Sequence, residues 1–337
     1  AVCLTGISCV VLDEADEMLN MGFQEDIDAI LGKMPSPKRI WLFSATMPAG
    51  VAAIARTYLL DPVEVTLGKK NSSPENITHI CCAVQEKHRY ESLKRIIDFT
   101  PEMFGLVFCR TRKDTQAVAE FLIRDGYQAE ALHGELSQAQ RDYVMRRFRQ
   151  QSVRLLVATD VAARGLDVEN ITHVIHYNLP DELETYTHRS GRTARAGKSG
   201  ASIAMINVRE LYRVRALEKQ GGIRFRFDRI PDGRAICERQ LLSLVEKIVR
   251  ADVNPEPIAD YLPAVYQGLE GLDKEELIRR LVSMEFNRLI GYYRHAGDIN
   301  VKGASQVKDS SKPAGNPCRR KERVKDKNTR FVINVGR

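Results

Sequence analysis

The sequence predicts an α/β protein with two parallel sheets, the first present in part and the second nearly whole. Three observations carry this. Short apolar runs such as Val10-Val11-Leu12, Ile40-Trp41-Leu42-Phe43 and Leu106-Val107-Phe108 are bounded by polar or turn residues, as strands buried on both faces are. These runs alternate with stretches of helical periodicity, the pattern of sheets covered by helices on both sides. Residues 68–74, Gly-Lys-Lys-Asn-Ser-Ser-Pro, contain no apolar side chain and separate two such series, so they read as an interdomain linker.

In chain order, the first strand runs into Asp13-Glu14-Ala15-Asp16. The run Met18-Leu19-Asn20-Met21-Gly22-Phe23 reads as a loop, and Ile27, Ile30 and Leu31 mark a short amphipathic helix ended by Pro35 and Pro37. The strand at 40–43 delivers Ser44-Ala45-Thr46, a helix is expected over 49–60, and Val63-Glu64-Val65 returns as a strand. After the linker, strands are expected at 77–84, 105–109, 129–132, 155–158, 173–176 and 201–206, with helices at 87–98, 113–124 and 138–148. Past Asn207 the pattern turns helical: Leu211, Val214 and Leu217, then Ile236, Leu241, Leu244, Val245 and Ile248, then Leu277, Ile278, Leu281, Val282 and Leu289. Such stripes are core or partner-facing surface. They predict a small helical extension over 223–300 that packs on the second domain or dimerises.

Composition bounds the function. Hydrophobic residues make up 43% and charged residues 28% of the 337, as in ordinary globular proteins. The seven cysteines form no C-x-x-C pair and show no ligand spacing, which argues against a disulfide framework or a zinc site. No apolar run approaches transmembrane length, so a cytoplasmic protein without membrane contact is expected. Residues 302–330 hold ten Lys or Arg against Asp309, Glu322 and Asp326, which accounts for the whole formal charge of +7. With Gly303, Pro313, Gly315 and Pro317 among them, they read as a disordered basic linker suited to phosphate backbones or simply to solubility.

The strand ends carry the chemistry. Ligands of open α/β sheets bind at the carboxyl ends of strands, and three carboxylates within four positions need a metal, a cation or solvent. A Mg²⁺-nucleotide site would use Asp13 for the ion, directly or through its waters, and Glu14 to orient an attacking water. The plainer alternative is an acidic helix N-terminus. In the second series, polar residues again follow strands: Cys109-Arg110-Thr111-Arg112, His133-Gly134-Glu135, and the run from Thr159 through Gly165 to Asp167. His188-Arg189-Ser190-Gly191-Arg192-Thr193-Ala194-Arg195 then places three arginines and a histidine in eight residues. Without the Lys/Glu mixture of a solvated face, these read as cations presented to an anion, not as core. Arg192 and Arg195, three apart, would share a helical face and grip one phosphate.

Asp-Glu-Ala-Asp at 13–16, Ser-Ala-Thr at 44–46, Val107-Phe108-Cys109-Arg110-Thr111, Gln138-Ala139-Gln140-Arg141, the run 159–167 and the run 188–195 stand in the order and spacing of the DEAD-box RNA helicases, which this sequence resembles over residues 7–206. The resemblance implies two RecA-like domains that close on ATP and Mg²⁺ and bend RNA through its backbone. It implies that Asp13, Glu14 and Asp16 serve the metal and the hydrolytic water, with Asp13 the Mg²⁺ residue. Ser44 and Thr46 would couple hydrolysis to strand separation, and Gly165 and Asp167 would touch the nucleotide. Arg192 and Arg195 would be arginine fingers, and His188 would link back to the acidic motif. Arg110, Thr111, Gly134, Gln138, Arg141 and Thr159 would lie along RNA.

The chain departs from the family at several points. No G-x-x-x-x-G-K-[ST] occurs, nor the adenine-reading glutamine motif or the first-domain RNA motifs, and Ala194 stands where the family commonly has Gly. The expectation is therefore a chain cut at both ends and inactive alone. It would hold the C-terminal part of a first RecA-like domain (1–67), a linker (68–75), a complete second RecA-like domain (76–222), a helical extension of the cold-shock subgroup's dimerising type (223–300), the basic linker (301–329) and the start of an RRM-like RNA-binding domain (330–337). The rival expectation is a non-catalytic RNA-binding or assembly module.

Overall fold

Four-residue strands with every side chain buried need helices on both faces, and the second domain supplies them. The computed structural model describes residues 4, 6–20, 22–35, 39–44, 47, 49–65, 76–195, 197–252, 258–294, 296–301 and 331–333. They fall into two units, one mainly before residue 74 and one mainly after it. The expected linker at 68–75 and the basic segment from 302 lie outside the described residues.

In the first unit, β1 (Cys9–Leu12) pairs in parallel with β2 (Arg39–Leu42). Between them come α1 (Ala15–Asn20) and α2 (Gln24–Gly32), and α3 (Ala49–Tyr58) leads to β3 (Val63–Val65). Leu12, Ile27, Leu31, Ile40, Leu42, Val51 and Ile54 form the core. The stretch read as a loop at 18–23 is instead the end of α1 and its cap. Gly22 has φ 82°, its N–H donates to Leu19 O at 2.9 Å, and Phe23 N–H donates to Met18 O at 3.2 Å. That is a left-handed glycine closing a helix, and the Asn-x-Gly spacing was its signal. Residues 331–333, expected to open a separate domain, are a strand of this sheet. Phe331–Ile333 lies antiparallel between β2 and β3. Unpaired edges of both strands satisfy its backbone groups, which a lone strand could not do.

The second unit holds every strand expected between 77 and 206, each within a residue of its expected ends. These are β4 (Ile77–Ala83), β5 (Gly105–Phe108), β6 (Ala129–Leu132), β7 (Leu155–Ala158), β8 (His173–His176) and β9 (Gly200–Ile206). Between them run α4 (Arg89–Asp98), α5 (Arg112–Arg124), α6 (Gln138–Arg149), α7 (Asp160–Ala163) and α8 (Leu183–Ser190). Alternate strand residues sort to opposite faces. Val107, Val157 and Ile175 pack with Leu93, Ile97, Val118 and Leu122 of α4 and α5, whereas Leu106, Leu156 and Val174 pack with Val144 and Phe148 of α6. The N-terminus of α6 is a full capping box made by Ser137 and Gln140.

After β9 come α9 (Leu211–Gly221) and a strand the sequence reading missed, β10 (Phe225–Asp228), parallel to β4. The sheet order is β10-β4-β9-β8-β5-β7-β6, parallel throughout. The domain boundary expected at 222 thus falls before the sheet's last strand. The extension proper is α10 (Gly233–Arg250), α11 (Leu262–Leu269) and α12 (Lys274–Tyr293). It is held to α4 through Asp98, which accepts a hydrogen bond from Tyr293 Oη at 2.5 Å and another from Tyr127 Oη, between α5 and β6, at 2.7 Å. Among the described residues no helix is long and apolar enough to cross a membrane.

Candidate nucleotide and RNA sites

The acidic strand end is built by a backbone turn. Leu12 O accepts from Phe43 N–H at 2.7 Å and Phe43 O accepts from Ala15 N–H at 3.1 Å, so the acidic turn after β1 sits beside the residues that leave β2. Asp16 N–H then donates to Ser44 Oγ at 3.2 Å, with both residues buried. The two polar clusters that the sequence placed at one sheet edge are thus bonded to each other. Glu14 takes φ 52°, a left-handed conformation that costs a β-carbon-bearing residue on the order of 1–2 kcal/mol. Asp13 is exposed, and its Oδ1 accepts Glu14 N–H at 2.9 Å. Thr46 lies outside the described residues.

In the second unit, the candidates divide between the two edges of the sheet, about 13 Å apart by the rise of a four-residue strand. Phe108, Ala158 and Leu132 are in register, so β5, β7 and β6 release their following loops at one level. Those loops carry Arg110, Thr111, Gly134 and the buried Thr159, and the first turn of α6 that follows β6 carries Gln138 and Arg141. Thr111 caps α5 by accepting Asp114 N–H at 3.0 Å, and Arg141 Nη2 donates to Ala162 O at 3.0 Å. Arg110 meets Asp181 at 3.8 Å with both side chains largely in solvent. Exposed pairs of this kind contribute little, so the guanidinium can exchange its partner for a phosphate.

Arg192 and Arg195 lie at the other edge, where β8 and β9 begin. α8 ends at Ser190, so these arginines stand on a turn beyond the helix and not on a helical face as the spacing suggested. The turn is fixed tightly. Thr193 Oγ1 donates to Ile171 O, and Asn76 Nδ2 donates to Ala194 O at 2.9 Å. Gly200 passes so close that a β-carbon there would meet Ala194 N at 2.9 Å. Arg192, Arg195 and Lys198 line one cavity of about 260 Å³ with Asn170 and Ser199. Asp167 is exposed on the path to this edge, its carbonyl accepting from Arg149 Nε at 3.3 Å, and Gly165 takes φ 64°. His188 is half-buried near the end of α8.

Arg189 corrects the reading that none of these cations is core. It is only 4% exposed and pairs with Asp160 through Nε at 2.5 Å and Nη2 at 2.7 Å. Beside it, Tyr186 stacks on His176 with centroids 4.5 Å apart. Ser202 Oγ meets His176 Nε2 at 3.0 Å and Ser190 Oγ at 2.8 Å. Burial holds the His176 ring well below the usual histidine range, with the Arg189 charge acting in the same direction. Sequence reasoning missed Asp160, Asn178 and Ser202 as organisers of α8. Asp160 directly follows a named candidate, Thr159, and Asn178 stands two residues past the end of β8, which is the only local hint they carried.

Fold and site residues define a class: two RecA-like α/β units of the helicase type. Comparison with known proteins then names the family. Residues 1–54 match the DEAD/DEAH box helicase model, 88–197 the helicase conserved C-terminal domain, and 236–294 the helical domain of a probable ATP-dependent RNA helicase. The chain belongs to the DEAD-box helicase family. It is 38% identical over 283 residues to the DEAD-box ATP-dependent RNA helicase CshA of Bacillus subtilis (strain 168), covering 83% of this chain and 57% of that one. CshA of Geobacillus kaustophilus (strain HTA426) is also 38% identical, over 281 residues, with 83% and 60% covered. Among solved structures, S. cerevisiae Dbp5 bound to RNA and ADP BeF3 matches with a TM-score of 0.65 and 25% identity, covering 72% of this chain and 64% of that one. The chain therefore spans a little over half the length of the curated relatives named here.

Proposed function

We propose that this chain supplies the magnesium-and-water side of one RecA-like domain and the whole of a second in a cytoplasmic ATP-dependent RNA helicase, which remodels short RNA duplexes or RNA–protein complexes by closing the two domains on ATP. The observation that carries this is the division of the second sheet, with exposed polar loops at one edge and a tightly built arginine turn at the other. Arg110, Thr111 and Gly134 on exposed loops, with Gln138 and Arg141 on the first turn of α6 and the buried Thr159, suit a backbone-tracking grip on single-stranded RNA. Arg192 and Arg195, which line one cavity, suit charge neutralisation at a transferring phosphate; Asp167 and Gly165 would contact the nucleotide, and His188 would serve the link to the acidic motif that the family resemblance implies.

Asp13 fits Mg²⁺ in one respect. It is a single exposed carboxylate, and among the described residues no group of three His, Cys, Asp or Glu could cage an ion. Mg²⁺ keeps most of its waters and is held by one or two carboxylates plus substrate phosphates. When bound with ATP it would supply charge neutralisation at the phosphates. Glu14, held in its strained backbone, would orient the attacking water, and the bond from Asp16 to Ser44 would report the state of that turn to the next loop.

The sequence holds no G-x-x-x-x-G-K-[ST], so this polypeptide alone is expected to bind RNA with a steep salt dependence and to release no phosphate from ATP. Fluorescence anisotropy with a single-stranded RNA and a phosphate-release assay read both, and RNA-stimulated phosphate release would overturn the expectation. The same missing cradle favours the rival, a non-catalytic RNA-binding module. A gene encoding that motif upstream of Ala1 would decide for the helicase. The apolar outer faces of α10 (Leu242, Val245, Val249) and α12 (Leu277, Leu281, Met284) support a homodimer, which sedimentation of the same preparation would detect.

A further inference from the structure

One buried residue touches both of the regions that the proposed function uses separately, one through its side chain and the other through its backbone. The Arg189 guanidinium holds Asp160 in the two bonds already described, donates from Nη1 to Asn178 O at 2.8 Å, and lies 5.0 Å from the Phe108 ring centroid. Asp160 directly follows Thr159. Asn178 Oδ1 accepts Arg110 N–H at 3.0 Å, and Asn178 N–H reaches Phe108 O at 3.4 Å. One guanidinium thus fastens the ends of β5, β7 and β8 where the candidate RNA loops begin. The backbone of the same residue holds the other region. Arg189 O accepts Arg192 N–H at 3.1 Å, between the bonds Gly191 N–H to Thr187 O at 2.8 Å and Thr193 N–H to Ser190 O at 3.2 Å.

We propose that Arg189, with Asp160 and Asn178, is a positioning unit that transmits the state of the RNA-facing loops to the arginine turn at the opposite edge. The assignment of those loops to RNA rests on the function proposed above; the mechanical link does not. A bidentate pair whose guanidinium is buried over an aromatic ring has one good geometry, so loops and turn shift together or the pair breaks. Arg189 itself acts as a positioning residue and not as a phosphate ligand.

Amide hydrogen exchange of the full 337-residue chain tests the link. In Asp160→Asn, without RNA, the amides of residues 191–193 should exchange about fivefold faster while those of β5, β7 and β8 keep their rates, which shows the fold intact. In the wild type, a saturating single-stranded oligouridylate should slow the 191–193 amides about threefold. Asn178→Ala should abolish that slowing while RNA still protects residues 108–112. Asn178→Asp, which keeps the acceptor for Arg110 N–H, should retain it. Equal exchange at 191–193 in wild type and Asp160→Asn overturns the link. So does RNA that protects 108–112 in the wild type and leaves 191–193 unchanged. RNA that protects neither segment sinks the RNA reading instead, and the RNA-free comparison still decides the link.

Discussion

The two edges of the second sheet are built in opposite ways. At the carboxyl edge Arg110, Thr111, Gly134 and Gln138 are all exposed, and the ion pairs of Arg110 with Asp181 and of Arg112 with Glu135 stand in solvent. At the amino edge Arg192 is only 8% exposed, Thr193 and Ala194 are buried, and Ala194 is held at φ 58°. On the function proposed above, the difference teaches how one sheet would serve two kinds of anion. A nucleic-acid backbone, which varies in path, would be met by side chains that can re-pair, and a single transferring phosphate by donors fixed beforehand.

The largest expected effect joins the edges. His79, His173 and His176 lie in the strands between them, and burial holds His79 and His173 at about 4 and His176 well below 6.5. The unfolded chain binds more protons below pH 6.5, so the folded domain loses stability as pH falls from about 6.5 towards 4. Each ring adds up to about 1.4 kcal/mol per pH unit. Urea midpoints followed across that window should fall steeply, and RNA binding should be lost with them; a flat midpoint would break the idea that a shared core carries both edges.

A smaller effect separates the edges. Arg110→Ala should weaken RNA binding by about 1 kcal/mol and reduce the salt slope by roughly one contact, whereas Arg195→Ala should leave both nearly unchanged. Equal losses in an anisotropy titration would erase the distinction drawn here. The smallest effect concerns the tight edge alone. Ala194→Gly relieves a left-handed alanine at the cost of a more flexible unfolded chain, for a net gain of up to about 1 kcal/mol. Thermal unfolding would read it, and a lower midpoint would mean that the Ala194 methyl packs more favourably than its backbone is strained.

Much of the second sheet was legible in the residues because its strands are buried on both faces and so read as unbroken apolar runs. β10 was not. Phe225-Arg226-Phe227-Asp228 is a charged edge strand whose Arg226 bonds Asp228 within the strand, and it resembles a loop until β4 pairs with it. Helix α1 was half legible for a different reason: its acidic start was open to reading as a helix N-terminus, but its six residues carry too little apolar periodicity to show that the helix runs on to Asn20. The geometry of the candidate residues was legible only in part. Asp16 and Ser44 proved to be bonded as their shared strand edge implied, while Arg192 and Arg195 stand on a turn and not on the helix their spacing suggested.

By itself the sequence determined the order of strands and helices in the second domain, the acidic and cationic motifs, and the family they belong to, because each is written in residues a few positions apart. Only the tertiary structure decided that Arg189 is core while Arg195 is exposed, and that RNA candidates and arginine turn occupy opposite edges. Burial and pairing depend on partners distant in the chain. Asp160 is 29 residues from Arg189, and Asn178 is 68 from Arg110. A run of like charges carries no record of which member the fold will enclose.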